Sequence, residues 1–279
     1  DIPVTVSTSG STTTLTFTMP AQAVRIVPDF GTAALQGSGT EADPYLIGSV
    51  TDFETMAALV QSQSSFRTAH YAMDADVDFG GNAITPIGNQ GAMFQGRFNG
   101  RGHTISNGVI SSSDSGLFGY VYGASIINLQ VKNFSVTGFS SGLLIGTAVG
   151  VNLVQNITVE GVNVTTRGAL VVGYNMGTLT VGNSIFRDST FNMEGGGGYI
   201  AAECEKPLYL INNVFLNLTP GQLISYIPGE QVTMTHNYFC ETNFYETDLY
   251  SVREVTRDTL CSVETISKLS EYSLNHFNE

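Results

Sequence analysis

The sequence predicts an all-β protein whose main part is a right-handed parallel β-helix, a solenoid in which short strands stack from one coil to the next. Three observations carry this prediction. Glycine-led apolar segments recur at intervals of about 24 to 29 residues between positions 116 and 221. An asparagine followed three residues later by an apolar residue recurs with nearly the same period. Short β-branched runs lie between the two markers, as is typical of solenoid repeats.

The chain before the repeats has a different pattern. Residues 1–30 alternate apolar and polar side chains, which indicates three short strands with turns near positions 10 and 20. We interpret them as the end of a preceding small β domain or as an N-terminal β arm. Residues 31–43 are rich in turn formers and have little to bury, so they are expected to be a linker. Residues 44–279 then form the β-helix domain with its terminal caps.

Two helices are predicted, one near each end of the solenoid. The first lies in TDFETMAALVQ, where Thr51 and Glu54 form a capping box and the apolar residues form one stripe. The stripe consists of Phe53, Met56, Ala57 and Val60. The second helix is expected in SVETISKLSEYSL, with Ser262 as its N-cap. The first helix is expected to cover an open end of the β structure.

The repeats define columns of equivalent positions. The glycines that open the apolar segments are Gly116, Gly142, Gly168, Gly197 and Gly221. The asparagines are Asn128, Asn156, Asn183, Asn213 and Asn237. The apolar residues three positions later are Val131, Val159, Phe186, Leu216 and Cys240. Asparagine tolerates left-handed backbone angles and its amide can bond to the next coil, so we expect the asparagines at a corner and the apolar residues in one core.

The segment FQGRFNGRGHTISN, residues 94–107, raises the question of a binding loop. No Lys-Ser or Lys-Thr follows its glycines and no strand and helix flank them, which excludes a Walker-type phosphate loop and a dinucleotide fingerprint. We interpret it as a strand, a turn at positions 99–100 and a second strand, with glycines that supply positive φ and close stacking of coils. A catalytic interpretation makes His103 a general base and Arg97 and Arg101 anion contacts. A lone histidine without a matched partner favours the structural interpretation.

This segment, followed by GLFGYVYGASIINLQVKNFSV, resembles the GLUG-motif family of bacterial surface proteins, whose members carry F-x-G-x-F-D-G-x-G-H-T-I-x-N before a G-L-F-G element. The similarity covers residues 37–138 and fades after about residue 195, where only the period persists. Asn99 stands where that family usually has Asp, and Arg101 where Asn is common. Separately, TLTFTMPAQAVRIVPDF resembles the closing strands of internalin-type B-repeat modules. The resemblance implies a secreted or surface-anchored, adhesin-like protein.

Acidic residues are the remaining candidates for chemistry. Asp74, Asp76 and Asp78 alternate as in a calcium loop, but Phe79 stands where an EF-hand loop has Gly, so we expect a solvated strand face. Glycan-cleaving β-helices need convergent carboxylates, or Arg and Lys with calcium, on an exposed sheet face. The charged residues between positions 116 and 193 are Lys132, Glu160, Arg167, Arg187 and Asp188. None of them repeats at the coil period, although carboxylates can still converge from different turns.

Composition and cysteine usage exclude several classes of function. The chain has 279 residues with 11 Lys and Arg against 24 Asp and Glu, a formal net charge of −13, which disfavours nucleic acid and anionic membranes as partners. No run approaches the roughly 20 apolar residues of a membrane helix. Cys204, Cys240 and Cys261 have no C-x-x-C spacing, which excludes the usual zinc patterns and a disulfide framework. They are interpreted as buried apolar residues, with a Cys240–Cys261 bridge left open.

These observations predict a non-catalytic extracellular module of a bacterial cell-surface protein that binds a host protein or a glycan. A carbohydrate-active β-helix enzyme, a lyase or a hydrolase, is the alternative. No catalytic, cofactor-binding or metal-binding residue is assigned, no cofactor is expected, and the ligand-binding residues are unknown. Because residue 1 is not Met, the chain is expected to be an excised or processed piece of a longer protein.

Overall fold

The computed structural model describes residues 4–9, 12–17, 35–191, 198–218, 222–226, 232–240 and 252–254. The chain divides into two compact units, Asp1–Ala34 and Leu35–Glu279. In the first unit, strands β1 (Val4–Ser9) and β2 (Thr12–Phe17) pair in antiparallel fashion. The third strand expected before residue 30 and the helix expected at Ser262 lie outside the described residues.

The second unit is built from short strands and two helices. It begins with β3 (Tyr45–Ile47), α1 (Val50–Ser62), α2 (Ser64–Arg67), β4 (His70–Met73), β5 (Val77–Asp78), β6 (Arg97–Asn99), β7 (Thr104–Ser106), β8 (Val109–Ile110) and β9 (Phe118–Tyr122). It continues with β10 (Ser125–Lys132), β11 (Ser135–Val136), β12 (Ser141–Gly142), β13 (Ile145–Val149), β14 (Val151–Glu160), β15 (Asn163–Val164), β16 (Gly168–Ala169), β17 (Val172–Asn175) and β18 (Thr178–Gly182). It ends with β19 (Ile185–Arg187), β20 (Thr190–Phe191), β21 (Gly198–Cys204), β22 (Leu208–Ile211), β23 (Val214–Leu216), β24 (Gln222–Tyr226), β25 (Val232–Thr235), β26 (Asn237–Cys240) and β27 (Val252–Glu254).

Successive coils contribute their strands to four stacks. The first stack contains β3, β4, β6, the beginnings of β10 and β14, then β18, β22 and β25. The second contains β5, β7, the ends of β10 and β14, then β19, β23, β26 and β27. The third contains β8, β11, β15 and β20. The fourth contains β9, β12, β13, β16, β17, β21 and β24. The fold is a right-handed parallel β-helix of about seven turns, which confirms the fold class predicted from the sequence.

The apolar column runs through the core of the second stack. Strand register aligns Val131, Val159, Phe186, Phe215 and Phe239, all buried. The rings of Phe215 and Phe239 stack with centroids 4.5 Å apart. The sequence-derived column is therefore wrong in its last two members. Leu216 is only partly buried, and Cys240, although buried, lies one position beyond the column.

The asparagine corner shows the same one-residue slip. The corner positions are Asn128, Asn156, Asn183, Asn212 and His236, all with φ between 51° and 56°. Asn213 and Asn237, which the sequence analysis placed here, instead point inward and are fully buried. There the Asn237 Oδ1 accepts hydrogen bonds from both nitrogens of Asn213, each at 2.9 Å. The error has a local cause, because asparagine occupies both positions 212 and 213 while His236 takes the corner in the coil that follows.

A second glycine column supports the fourth stack. The predicted glycines are not all equivalent, since Gly142 pairs with Ala169 and Gly168 with Ser141, while positions 197 and 221 lie outside the described residues. The glycines in register are Gly119, Gly146 and Gly173, followed by Ala202 in the next coil. A Cβ at any of these three glycines would lie within 2.5 Å of a backbone oxygen. Close approach of backbone, and not a positive φ, is what requires glycine here.

Helix α1 covers one end of the core with the predicted stripe, because Phe53, Met56, Ala57 and Val60 are all buried. Its N-cap differs from the prediction. Ser49 caps the helix by accepting a hydrogen bond from the Asp52 backbone N–H at 3.1 Å, and the Ser49 hydroxyl donates to the Asp52 carboxylate at 2.7 Å.

Residues 35–43, within the expected linker 31–43, belong to the second unit. Leu35 is buried, and the backbone N–H of His70 donates to the Gly39 carbonyl oxygen at 2.9 Å.

Candidate functional site

The segment 94–107 provides strands of the first and second stacks and the turn between them. In that turn Gly102 has φ +82°, and a Cβ there would meet nothing within 4 Å. Gly100 has no positive φ, but a Cβ on it would lie 2.5 Å from the Asn128 carbonyl oxygen. The two glycines therefore serve two separate structural needs, one conformational and one of close coil stacking.

Two adjoining cavities open beside this turn, with volumes of about 500 Å³ and about 180 Å³. The larger is lined by Asn99, Arg101, Gly102, Asn128, Leu129, Gln130, Asn156 and Thr158. The smaller is lined by Glu41, Pro44, His70, Tyr71, Ala72, Arg97, Asn99 and Arg101. Because Asn99 and Arg101 line both cavities, we treat the two as one groove, called the corner groove below.

An amide ladder runs through the corner groove from coil to coil. Asn156 Nδ2 donates to Asn128 Oδ1 at 2.6 Å, and Asn128 Nδ2 donates to Asn99 Oδ1 at 3.0 Å. Asn99 Oδ1 also accepts the Arg101 backbone N–H at 2.9 Å. Gln130 Nε2 donates to the Gly102 carbonyl oxygen at 2.8 Å. The larger cavity is thus lined by amides and a hydroxyl, with one charged residue.

Arg97 and Arg101 both lie at the corner groove, as the anion-contact interpretation of this segment requires. Arg97 Nη1 lies 3.6 Å from Glu41 Oε1, and both side chains are well exposed. Arg101 is exposed, and among the residues that the structure describes no carboxylate lies within salt-bridge distance of it. Its φ of 51° turns the chain at the groove. Sequence analysis missed Gln130 and Thr158, although each follows a corner asparagine by two residues.

His103 does not line the corner groove, and it has a carboxylate partner that the sequence analysis did not assign to it. Its Nδ1 lies 3.0 Å from Asp76 Oδ1, which also accepts the Thr104 backbone N–H at 2.9 Å. The hydrogen bond from Thr104, then the one with His103, holds the pKa of the Asp76 carboxyl below its usual range. These bonds tie the lead-in strand β5 to the first complete coil.

Asp78 is engaged in a similar way. Its Oδ1 accepts hydrogen bonds from Asn107 Nδ2 at 2.9 Å and from the Gly80 N–H at 2.8 Å. The hydrogen bond from Asn107, and then the one from Gly80, lower the pKa of the Asp78 carboxyl. The three aspartates 74, 76 and 78 are all exposed, as expected for a solvated strand face, while Val77 and Phe79 are buried. Within the described part of the chain, no three His, Cys, Asp or Glu side chains are grouped so that they could hold a metal ion.

The other charged residues flagged in the sequence mostly pair with one another. Glu160 Oε2 lies 2.8 Å from Arg187 Nη2 and 3.6 Å from Lys132 Nζ, across three successive coils of the second stack. Arg187 Nε lies 4.0 Å from Asp188 Oδ2. This row is an ion-pair ladder on the outer surface, with Lys132, Glu160 and Arg187 in register from coil to coil. The interpretation that no charged residue repeats at the coil period is therefore wrong.

A second group of polar residues converges at the fourth stack from different turns. Glu203 Oε1 accepts a hydrogen bond from the Ser140 hydroxyl at 3.0 Å and lies 3.4 Å from Arg167 Nη1. Asp114 lies near enough to Glu203 that burial, and then the Glu203 charge, raise the pKa of its carboxyl. The Tyr174 hydroxyl donates to the Glu205 carboxylate. The coil period gave no sign of this convergence, because Glu203 comes from a position that is not equivalent to those of Ser140 and Arg167.

The described cysteines are buried, as expected. Burial raises the pKa of the Cys204 thiol, which donates to the Lys206 carbonyl oxygen at 3.2 Å. Cys240 is fully buried in β26. Cys261 lies outside the described residues, so the Cys240–Cys261 bridge stays a hypothesis.

No family profile and no solved structure matches the chain. Halomucin of Haloquadratum walsbyi is 33% identical over 189 residues, which is 60% of this chain and 2% of Halomucin. A protein of Evansella cellulosilytica, named as a Gly-rich membrane protein, is 29% identical over 132 residues, which is 44% of this chain and 15% of that protein. The chain thus spans a small part of the length of these relatives. No helix among the described residues is long and apolar enough to cross a lipid bilayer.

Proposed function

We propose that the chain is a non-catalytic, extracellular module of a cell-surface protein and that its corner groove binds a glycan. The names of the two relatives, a halomucin and a membrane protein, support a place at the cell surface. The resemblance to GLUG-motif surface proteins supports the same location and an adhesive role. The observation that carries the binding proposal is the corner groove itself, with its ladder of amides beside an exposed guanidinium.

The chemistry of the groove fits a hydroxyl-rich ligand. An asparagine amide has two N–H donors and two acceptor lone pairs, and the ladder uses only one donor each of Asn128 and Asn156. Sugar hydroxyls both donate and accept hydrogen bonds, so they can pair with the amide N–H donors and acceptor lone pairs that the ladder leaves unused. The amides recur with the spacing of the coils, about 4.8 Å. An extended saccharide, whose units are of similar length, can contact successive coils in register.

A glycan array on the intact chain, with a reducing-sugar assay on each glycan bound, tests this proposal. We expect binding without release of reducing ends. Thr158→Ala removes a hydroxyl from the corner groove and is expected to weaken binding. Thr190→Ala makes the same change on the exposed face of the third stack and is expected to leave binding intact. The groove proposal is refuted if both variants bind as the parent does, or if no glycan binds.

The enzyme alternative has one observation in its favour, the influence of the Glu203 charge, after that of burial, on the pKa of the Asp114 carboxyl. A carboxyl whose pKa is raised beside an ionised one is the arrangement of a general acid and its partner in glycoside hydrolysis. Turnover of a polysaccharide that disappears in Asp114→Asn would favour this alternative. We propose binding as the primary function because Glu203 is already held by Ser140 and Arg167.

A further inference from the structure

Arg101 gives the corner groove an exposed guanidinium that has no carboxylate partner among the described residues. Arg67 and Lys206 also lack such a partner there, but neither of them lines this groove. Arg97 is 3.6 Å from Glu41, and Lys132 and Arg187 share Glu160. Arg101 has no carboxylate within salt-bridge distance among the described residues, in a chain with a net charge of −13. A guanidinium that no carboxylate of the described residues neutralises remains available to an acidic ligand.

The surroundings of Arg101 suit an anion bound close to it. Of the residues that line the larger cavity, Arg101 alone is charged, so no carboxylate there repels a negative group. The guanidinium presents N–H donors in a fixed fork that matches the two oxygens of a carboxylate or a sulfate. The amides of Asn128 and Gln130 supply neutral donors on the same wall. In the smaller cavity, by contrast, Glu41 offsets Arg97.

We propose that the corner groove selects glycans that carry acidic groups, uronate carboxylates or sulfate esters, and that Arg101 is the residue that contacts the acidic group. This inference rests on the proposed glycan-binding function and adds the chemistry of its ligand. The charge of the whole chain opposes a polyanion of high charge density, whereas a chain with spaced acidic groups can place one group at Arg101 with little repulsion.

The decisive variant is Arg101→Asn. Because Arg101 has φ 51° and Asn adopts left-handed angles readily, the change removes the charge with little strain in the turn. The melting temperature should stay at or above that of the parent. A charge-assisted hydrogen bond contributes more than a neutral one, so we expect affinity for an acidic oligosaccharide to fall at least about tenfold. Glu41→Gln, which removes the acidic group beside Arg97, is expected to raise that affinity.

Binding should be measured by calorimetry at two salt concentrations with five probes. These are an oligosaccharide of neutral sugars with one sulfate ester per disaccharide, its desulfated form, an oligogalacturonate, the methyl-esterified oligogalacturonate, and a single-stranded oligonucleotide of equal length. We expect one acidic saccharide to bind better than its neutral form, and the preferred probe identifies sulfate or carboxylate as the group recognised. Arg101→Asn should remove this preference, and added salt should weaken it.

Three outcomes overturn the inference and are distinguishable. If the acidic saccharides and their neutral forms bind equally and Arg101→Asn changes nothing, glycan binding survives but selection of acidic groups does not. If no saccharide binds on the array or here, the proposed function fails together with the inference. If the oligonucleotide binds as tightly as the best saccharide and depends equally on Arg101, the groove recognises phosphate and the ligand class is wrong.

Discussion

The carbonyl oxygen of Asp114 lies so close to Gly146 that a Cβ on the glycine would stand 2.3 Å from it. The next coil repeats the contact, with the Ser140 carbonyl oxygen 2.0 Å from the position of a Cβ on Gly173. The turn backbone thus packs directly on the fourth stack. The glycine column of this stack sets the distance between turns and sheet.

Gly146→Ala is therefore expected to destabilise the protein. The new Cβ would meet a backbone carbonyl oxygen, and neither backbone segment can move aside without disturbing its hydrogen bonds. Overpacking of this kind costs about 1–3 kcal/mol or more. Urea unfolding measures the loss. Gly182→Ala is the matched control, because Gly182 is also buried in a strand but its Cβ would lie 3.6 Å from the nearest atom. Equal midpoints for the two variants would show that the close contact is unimportant.

Gly100 and Gly102 of segment 94–107 should respond differently to substitution. Gly100→Ala meets the Asn128 carbonyl oxygen at 2.5 Å, so we expect a large loss of stability. The added Cβ of Gly102→Ala would meet no neighbouring atom, but alanine at this positive φ costs on the order of 1 kcal/mol. Gly102→Asn should cost less, because asparagine adopts left-handed angles more readily. Thermal unfolding of the three variants checks this order. A fully stable Gly100→Ala protein would be incompatible with the coil contact described here.

The core register can be tested at two adjacent residues. Phe215 is fully buried and its ring stacks on those of Phe186 and Phe239, so Phe215→Ala should lower the free energy of unfolding by about 3–5 kcal/mol. Leu216→Ala, on the partly buried outer side, should cost much less. The column derived from the sequence predicts the reverse order. Chemical denaturation of both variants decides between the two registers.

The lowered pKa of Asp76 predicts an acid-dependent loss of stability. Its carboxyl has a lower pKa in the folded chain than the usual value of about 3.9 in the unfolded chain, so the folded state binds fewer protons in that range. The stabilisation is complete above the unfolded value and is lost as the pH falls through the folded value. Melting temperatures of the parent and Asp76→Asn should therefore differ at neutral pH and converge in acid. Asp43→Asn, at an exposed loop residue, serves as the control, and a difference for Asp76→Asn that persists unchanged into acid would contradict the pKa shift.

Calcium is expected to have little effect on the melting temperature. The carboxylate oxygens Asp76 Oδ1 and Asp78 Oδ1 each already accept two hydrogen bonds from the chain. A ligand stabilises only as RT ln(1+[L]/Kd), so weak binding at millimolar calcium produces a small shift. Differential scanning fluorimetry with and without calcium measures it. A rise of several degrees that Asp76→Asn removes would make the lead-in strand a metal site.

The sequence alone was sufficient for features that depend on a repeated pattern. The period of the Gly and Asn markers predicts the parallel β-helix, and the stripe from Phe53 to Val60 predicts helix α1 and its buried face. Both predictions work because the period of the apolar residues indicates the type of regular element and the face that it buries. Register was less secure. At Asn212 and Asn213 the chain offers the same residue for an outward corner and for an inward amide ladder, and no local rule distinguishes them.

Only the tertiary structure decided which residues form the candidate site. Arg101, Asn128 and Thr158 lie in three different coils, and they line one cavity because the parallel register places their strands side by side. Asp114 and Glu203, whose charge influences the Asp114 pKa, come from non-equivalent positions, which no period in the sequence marks. The sequence by itself determined the class of fold and the cap at one end, because these depend on local periodicity. The corner groove and the carboxylate pair depended on the register and on the stacking of coils, which are set by contacts between residues far apart in the chain.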